Sequence, residues 1–176
     1  MKLRSAGTEK PANIFIEKGF HIMTIERVRK ANSVQMSEDR KRQLREQFKR
    51  KHFTMMTESE KAVLKTKLRR CNTRKVELTS HWRKRQHDYS VYFTIDEMLA
   101  AIHTGTVIDY MRDRKNRQIE RFLIRDMNGS QHRVIVLHHE FGRWIALTGW
   151  VNAADDMHET LDMSIYEDFS IHDCVD

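Results

Sequence analysis

The sequence predicts an α+β fold in which N-terminal basic helices precede one further helix and a four-stranded antiparallel β-meander. Two capping boxes, Thr57 to Glu60 and Thr94 to Glu97, each open an apolar run of helical period. Residues 106–151 are instead rich in β-branched side chains, in short runs separated by turn residues. Helices followed by consecutive strands are typical of an α+β fold.

The first helical region is predicted to be a basic hairpin over residues 37–79. Ser37 is a suitable N-cap, and Leu44 and Phe48 have the i, i+4 spacing of one helix face. These features predict a first helix over about 38–52. The second helix begins at the first capping box and carries its apolar residues on one side and most of its bases on the other.

A nuclease-like α+β domain is predicted over residues 80–151. Its first helix places His81 and Arg85 one turn apart on the same face. The helix that follows the second capping box ends at Gly105 in the C′ position. The predicted strands cover 106–112, 118–127, 131–140 and 143–151, with turns at Asn128-Gly129 and Phe141-Gly142.

Two flanking segments complete the domain organisation. Residues 1–36 contain the only proline, Pro11, and no sustained apolar period, so they are interpreted as a weakly ordered arm or a short strand. Residues 152–176 form an acidic C-terminal extension with isolated apolar anchors. We expect these anchors to allow docking as a helix or a strand.

The net charge of +7 conceals an asymmetry along the 176-residue chain. Residues 1–80 contain 21 Lys and Arg against 9 Asp and Glu, whereas residues 81–176 contain 11 against 16. After Arg143 there are eight acidic residues and no Lys or Arg. A basic front with an acidic tail is typical of a polyanion binder that can screen its own binding surface.

Composition and motifs exclude several classes of protein. No run of 18 apolar residues and no secretory signal pattern is present, so we expect a soluble cytoplasmic protein without a membrane partner. Cys71 and Cys174 are far apart and have no metal-ligand spacing, which argues against a disulfide framework or a zinc site. His138 and His139 are adjacent on a predicted strand and point to opposite faces, which disfavours a metal site there. No cofactor is expected.

The segment 38–75 is the predicted nucleic-acid-binding region. It holds 14 Lys and Arg against 5 acidic residues, and phosphate backbones are the commonest partner of such charge density. RNA is the preferred partner and DNA the alternative, while a solvated helix face, an acidic protein or an acidic lipid are competing interpretations. The candidate binding residues are Arg40, Lys41, Arg42, Arg45, Lys49, Arg50, Lys51, Lys65, Arg69 and Arg70.

A second group of residues has side chains suited to RNA cleavage without a metal. This reaction needs a base for the 2′-hydroxyl proton, a cation for the charge that builds on phosphorus, and an acid for the leaving oxygen. Histidine and arginine supply these functions near neutral pH. The group comprises His81, Arg85, Arg121, His132, His138, His139 and Thr148. Trp144 and Trp150 are interpreted as sheet-packing side chains rather than base-stacking platforms.

The order of these elements resembles a small bacterial domain family grouped with the barnase, EndoU, colicin-type and RelE-like toxin nucleases. The resemblance covers residues 80–151 and rests on the His-xxx-Arg helix, the capped helix-to-strand segment Thr94–Ile108, the Arg121 strand and the closing strand that ends at Thr148. It implies a RelE/barnase-like fold. It also implies a catalytic set of His81, Arg121 and Thr148, with Arg85 in support.

Two functional hypotheses follow from the residues and the resemblance. The first is a toxin-class endoribonuclease that cleaves through the 2′-hydroxyl, with His81 as base or acid, Arg85 and Arg121 stabilising the phosphorane, and Thr148 positioning a phosphate oxygen. The second is a non-enzymatic regulator of phage or mobile-element type that binds DNA or inhibits a host protein. The acidic tail is expected to inhibit binding or to contact a protein partner.

Overall fold

A computed structural model of the chain describes residues 37–127, 130–154 and 162–172. The predicted arm over 1–36 and the Asn128-Gly129 turn lie outside the described residues. The described residues form an α+β structure with four α-helices and one mixed six-stranded sheet, which confirms the predicted fold class.

The four helices begin where side chains cap their first turns. They are α1 (Glu38–Gln47), α2 (Glu58–Arg69), α3 (Ser80–Tyr89) and α4 (Ile95–Thr104). Ser37 and Thr79 accept hydrogen bonds from the first turns of α1 and α3, whereas Thr57 and Thr94 form the two predicted capping boxes of α2 and α4. The predicted helix starts are therefore confirmed.

The sheet contains two strands beyond the four that were predicted. The strands are β1 (Phe48–His52), β2 (Glu77–Leu78), β3 (Thr106–Asp113), β4 (Ile119–Asp126), β5 (Gln131–Glu140) and β6 (Arg143–Ala153), in the order β1-β3-β4-β5-β6-β2. Neighbours from β1 to β6 pair antiparallel, and β2 adds a parallel edge beside β6. The sheet is thus six-stranded and mixed rather than four-stranded and antiparallel.

The predicted basic helical hairpin is wrong in its first half. The first helix ends at Gln47, and the next five residues are the edge strand β1 instead of a continuation to residue 52. Strand β1 is stabilised by pairing with β3 and by partners for its charges, since Arg50 pairs with Asp109 and Lys51 pairs with Glu60. These long-range contacts override the local helical spacing of Leu44 and Phe48.

One face of the sheet, here called the helix-covered face, carries the main core. Tyr110, Phe122, Leu137 and Ala146 lie on it at successive cross-strand positions and are fully buried. Helix α3 packs there as well, because a Cβ built on Gly149 of β6 would lie 2.9 Å from the ring of Trp82. We call the other side of the sheet the opposite face.

The predicted turn at Phe141-Gly142 has positive φ angles, whereas the predicted helix end at Gly105 does not. Phe141 and Gly142 join β5 to β6 with φ angles of 48° and 79°. Positive φ at both central residues is typical of a two-residue β-hairpin turn. Gly105 follows α4 but has φ −77°, so it is not in the left-handed region expected at C′. Glycine is needed there because a Cβ would lie 2.6 Å from both the Ala101 carbonyl oxygen and the Ile124 side chain.

The C-terminal segment 162–172 docks along the edge formed by β1. The Glu167 N–H donates to the Arg50 carbonyl, and the Lys51 ammonium donates to the Phe169 carbonyl, at 2.8 Å in each case. Ile165 and Ile171 are buried. This part of the acidic extension is therefore docked, but not as the expected helix or strand, since its only regular element is the 3₁₀ turn Met163–Ile165.

Candidate functional site

Two of the predicted catalytic residues lie together on the opposite face of the sheet. Arg121 of β4 is the direct cross-strand partner of His138 of β5. Thr148 of β6 is the partner of Val136, which is two residues from His138 on the same face. We call Arg121, His138 and Thr148 the sheet-face cluster.

Each member of the sheet-face cluster has a buried polar atom that finds no hydrogen-bond partner among the described residues. These atoms are Nε of Arg121, Nδ1 of His138 and Oγ1 of Thr148. A buried polar atom without a partner costs about 1–3 kcal/mol, and native proteins retain few of them. Three such atoms on neighbouring strands are consistent with a site arranged for a ligand.

His138 has the geometry of an oriented imidazole. Its side chain is only 8% exposed, and its Nε2 lies 3.1 Å from Oε2 of Glu140, two residues further along β5. When Nε2–H donates to this carboxylate, Nδ1 carries the free lone pair. The pair therefore has the arrangement in which a carboxylate orients a histidine for proton transfer.

Arg121 is a cation without an ion pair among the described residues. Its guanidinium lies 4.9 Å from the centre of the Phe48 ring. Burial and the nearby charge of Arg40 lower the pKa of Arg121, and Asp113 offsets this only partly. Because the unperturbed pKa of arginine is above 12, the side chain keeps its charge and can stabilise an anion there.

His81 and Arg85 do not join this cluster. Both lie on α3, whose Trp82 is buried against Gly149 on the helix-covered face, whereas Arg121 and Thr148 face the other way. His81 is exposed, and Arg85 is paired with Asp88 at 3.4 Å. The sheet itself separates the two halves of the predicted catalytic set.

Three of the predicted nucleic-acid-binding residues are paired instead of free, and of these Lys41 and Lys51 are buried and Arg50 is half-buried. Lys41 pairs with Glu38 and Asp162, and Arg50 donates from Nε to Asp109 at 2.7 Å. Lys51 is 4% exposed and pairs with both Glu60 and Asp168 at 2.8 Å. These bases stabilise the fold around β1, so they are not available to phosphate in this conformation.

The other predicted binding residues remain on the surface. Arg40 and Arg42 are exposed and bonded to Gln43 and Asp39, one turn along α1. Arg45 donates to the Ser164 carbonyl at 3.3 Å, and Lys49 lies over the Phe169 ring. Three further bases are exposed and have no ion pair among the described residues: Lys65, Arg69 and Arg70.

A buried polar network lies on the helix-covered face around Glu120, which is 1% exposed. Glu120 accepts from Tyr110 at 2.7 Å, lies 3.0 Å from His139 Nδ1 and pairs with Lys67 of α2. Burial opposes ionisation, but His139 and Lys67 lower the pKa of Glu120 below its usual value. Tyr110, His139 and Lys67 satisfy the carboxylate, so the network fixes α2 against the sheet.

Sequence reasoning named His138 but gave the catalytic role to His81, and it missed Glu140. The alternation of side chains along a strand could have placed His138 and Glu140 on one face. No comparable signal shows which side of the sheet α3 covers. That side is determined by the packing of Trp82 on Gly149, which is a tertiary contact.

The described residues contain neither a metal-binding group nor a membrane-spanning helix. Among the residues that the structure describes, no group of three or more His, Cys, Asp or Glu side chains is placed to hold a metal ion. In the same residues, no helix has the length and apolar character that crossing a membrane requires.

No known protein family, curated protein or solved structure matches this chain.

Proposed function

We propose that the protein is a metal-independent endoribonuclease with a RelE/barnase-like fold, and that its reaction centre is the sheet-face cluster of Arg121, His138 and Thr148. The observation that carries this proposal is the presence of three neighbouring polar atoms that are buried and lack partners. His138 takes the proton-transfer role that the sequence suggested for His81.

The residue types match the steps of cleavage through the 2′-hydroxyl. Nδ1 of His138 removes the 2′-hydroxyl proton, and Glu140 supports the imidazolium that forms. The 2′-oxygen forms a bond to phosphorus, and the bond to the 5′-oxygen breaks. Arg121 stabilises the charge on the phosphoryl oxygens, and the Thr148 hydroxyl donates to one of them. The products are a 2′,3′-cyclic phosphate and a 5′-hydroxyl whose proton comes from solvent.

Access to the cluster is consistent with a large substrate. Arg121 and Thr148 are only partly buried, as are Leu123, Val136 and Ile145 around them on the same face. A phosphate group can therefore reach the exposed part of Arg121 from the opposite face of the sheet, and its contact with the buried Thr148 hydroxyl and His138 Nδ1 requires neighbouring side chains to move.

The experiment is RNA cleavage in EDTA by the wild type, His138→Gln and the matched control His81→Gln. We expect His138→Gln to lose at least about 100-fold in rate and His81→Gln to keep the wild-type rate. Thr148→Val, which removes the hydroxyl at nearly constant volume, should lose about tenfold, and thermal unfolding identifies any variant that fails to fold. Equal rates for wild type and folded Thr148→Val and His138→Gln would refute the site.

The non-enzymatic regulator is the second candidate function. It is favoured by the exposed bases that have no ion pair, because these can hold nucleic acid whether or not a bond is cleaved. Tight, salt-dependent RNA or DNA binding by a wild-type protein that cleaves no RNA would support this candidate instead.

A further inference from the structure

The basic residues of the front half divide into two groups by their partners. Those of α1 and β1 are largely bonded to acidic side chains, to Gln43 or to the C-terminal segment. Those from the middle of α2 to the middle of α3, apart from Lys67 with its partner Glu120, are exposed and have no ion pair among the described residues. We call this second group the helix-side basic surface, and it consists of Lys65, Arg69, Arg70, Arg74, Lys75, Arg83 and Lys84.

The segment that carries the helix-side basic surface contains a single acidic residue. Between residues 65 and 84 the only acidic residue is Glu77, and it is already paired with Arg143 at 2.7 Å. Ordinary solvated surfaces mix charges of both signs. A stretch of seven bases without a carboxylate to balance them is therefore a surface that attracts a polyanion.

This surface lies on the side of the sheet away from the sheet-face cluster. Helix α2 buries Leu64 and Leu68 in the core, and α3 buries Trp82 and Tyr89. Both helices pack on the helix-covered face, so their exposed bases point away from the sheet. His81, which is exposed on α3, belongs to this side too.

The composition and the spacing of the surface suit a phosphodiester backbone. Four of the seven bases are arginines, whose planar guanidinium binds phosphate through two hydrogen bonds. Arg70, Arg74 and Lys75 also fall within six residues, at the end of α2 and in the 3₁₀ turn Thr73–Lys75. Such closely spaced cations match the regular spacing of phosphates along a nucleic-acid backbone.

We propose that the helix-side basic surface is an RNA docking surface that binds the phosphate backbone at a distance from the cleavage centre. The proposal rests on the proposed function for the identity of the polymer, but docking and cleavage use opposite sides of the sheet. A long RNA contacts both sides, whereas a dinucleotide at the sheet-face cluster is too short to reach the helix side. The surface therefore governs the KM for long RNA and leaves the turnover of dinucleotides unchanged.

The test compares two variants of the full chain that lose the same charge. The docking variant carries Arg74→Gln and Lys75→Gln, and the control carries Arg117→Gln and Lys115→Gln, all at exposed positions. Binding of a fluorescent hairpin RNA is followed by anisotropy from about 50 to 200 mM salt. The docking variant should bind at least about tenfold more weakly at low salt, with the log–log salt slope reduced by about 2. The control should stay within about threefold of the wild type.

The possible results separate the RNA docking surface from the proposed endoribonuclease activity. Equal weakening by the two variants, or wild-type affinity in the docking variant, overturns the docking surface even if RNA is cleaved. Displacement of the hairpin by polyglutamate as effectively as by unlabelled RNA of equal charge overturns it in favour of an acidic protein partner. If no RNA is cleaved but the docking variant alone loses affinity, the docking surface stands and the nuclease proposal fails. If the wild type cleaves RNA, then the wild type, the docking variant and the control must turn over a dinucleotide at equal rates.

Discussion

Lys51 and Glu60 form an ion pair in which both side chains are 4% exposed. Glu60 also accepts from the Ile171 and Thr57 N–H groups, so one carboxylate connects β1, the start of α2 and the C-terminal segment. Removing one member of a buried pair costs about 3–5 kcal/mol because the other charge is left without compensation. The Glu60 side chain therefore holds the C-terminal segment against β1 and the start of α2.

Acid should weaken the protein through Glu60. Burial raises the pKa of Glu60, but hydrogen bonds from Lys51, Ile171 and Thr57 outweigh this effect and hold the pKa at about 2 instead of 4.5. A lowered folded-state pKa gives stability that is complete above pH 4.5 and is lost as the pH falls toward 2. Glu60→Gln should lose about 3 kcal/mol at pH 7, and the difference from wild type should shrink at pH 3, measured by urea unfolding.

Glu58→Gln is the matched control for this prediction, because Glu58 is exposed and its one ion pair within the described part of the chain is with Lys61 along the same helix. Its loss should be below about 1 kcal/mol at both pH values. A Glu60→Gln difference that stays constant between pH 7 and pH 3 would contradict the assignment.

At the scale of elements, the contact between α3 and β6 determines which side of the sheet His81 occupies. A Cβ on Gly149 would lie 2.9 Å from two ring atoms of Trp82 and 3.2 Å from the Met98 terminal methyl. Gly149→Ala should therefore destabilise the protein by about 1–3 kcal/mol through overpacking, measured by urea unfolding. In a Trp82→Phe background the same substitution should cost less, because the smaller ring leaves room for the methyl group. Equal costs in the two backgrounds would place α3 elsewhere.

The docked C-terminal segment balances the charge of the elements around it. Asp168 pairs with Lys51, and Glu167 accepts two hydrogen bonds from Arg114 at 2.8 Å. Lys51 stays paired with Glu60 when Asp168 is removed. Glu167→Gln combined with Asp168→Asn should therefore free Arg114 from its carboxylate partner and tighten RNA binding at 50 mM salt, with the gain disappearing at high salt. Anisotropy with labelled RNA measures the effect. Glu46→Gln with Asp96→Asn removes equal charge elsewhere, and the same tightening in that control would show that net charge alone is responsible.

The elements that the sequence predicted correctly are those with local signals. The capping boxes at Thr57 and Thr94 and the Phe141-Gly142 turn act within a few residues, so their positions are visible in the chain. Strand β1 is different, because Lys49, Arg50 and Lys51 have no strand-like alternation and depend on partners 9 to 118 residues away. Strand β2 has two residues, which is too short for a periodic pattern.

The candidate site shows the same division between local and long-range information. Arg121 and Thr148 could be recognised as suitable side chains on predicted strands, and the structure places them on one face. The choice between His81 and His138 needed the register of β4 with β5 and the side of the sheet that α3 covers. Neither follows from spacing, because both depend on tertiary packing.

At the scale of the whole molecule, the sheet separates the proposed cleavage centre from the proposed docking surface. The sheet-face cluster has unsatisfied polar atoms suited to a phosphodiester, and the helix-side basic surface has unpaired charge suited to a backbone. The bases between them, around β1, are neutralised by Glu60, Asp109 and the C-terminal segment. This arrangement predicts that binding and cleavage can be changed independently.

The most direct measurement is the cleavage of one RNA in EDTA beside the same strand carrying a single 2′-deoxy nucleotide at the cleaved position. Cleavage that uses Nδ1 of His138 as base requires the 2′-hydroxyl, so the RNA should yield a fragment ending in a 2′,3′-cyclic phosphate and the deoxy strand should stay intact at that position. Mass spectrometry of the products identifies the end group. An intact RNA, or equal cleavage of both strands, would contradict a reaction centre at Arg121, His138 and Thr148.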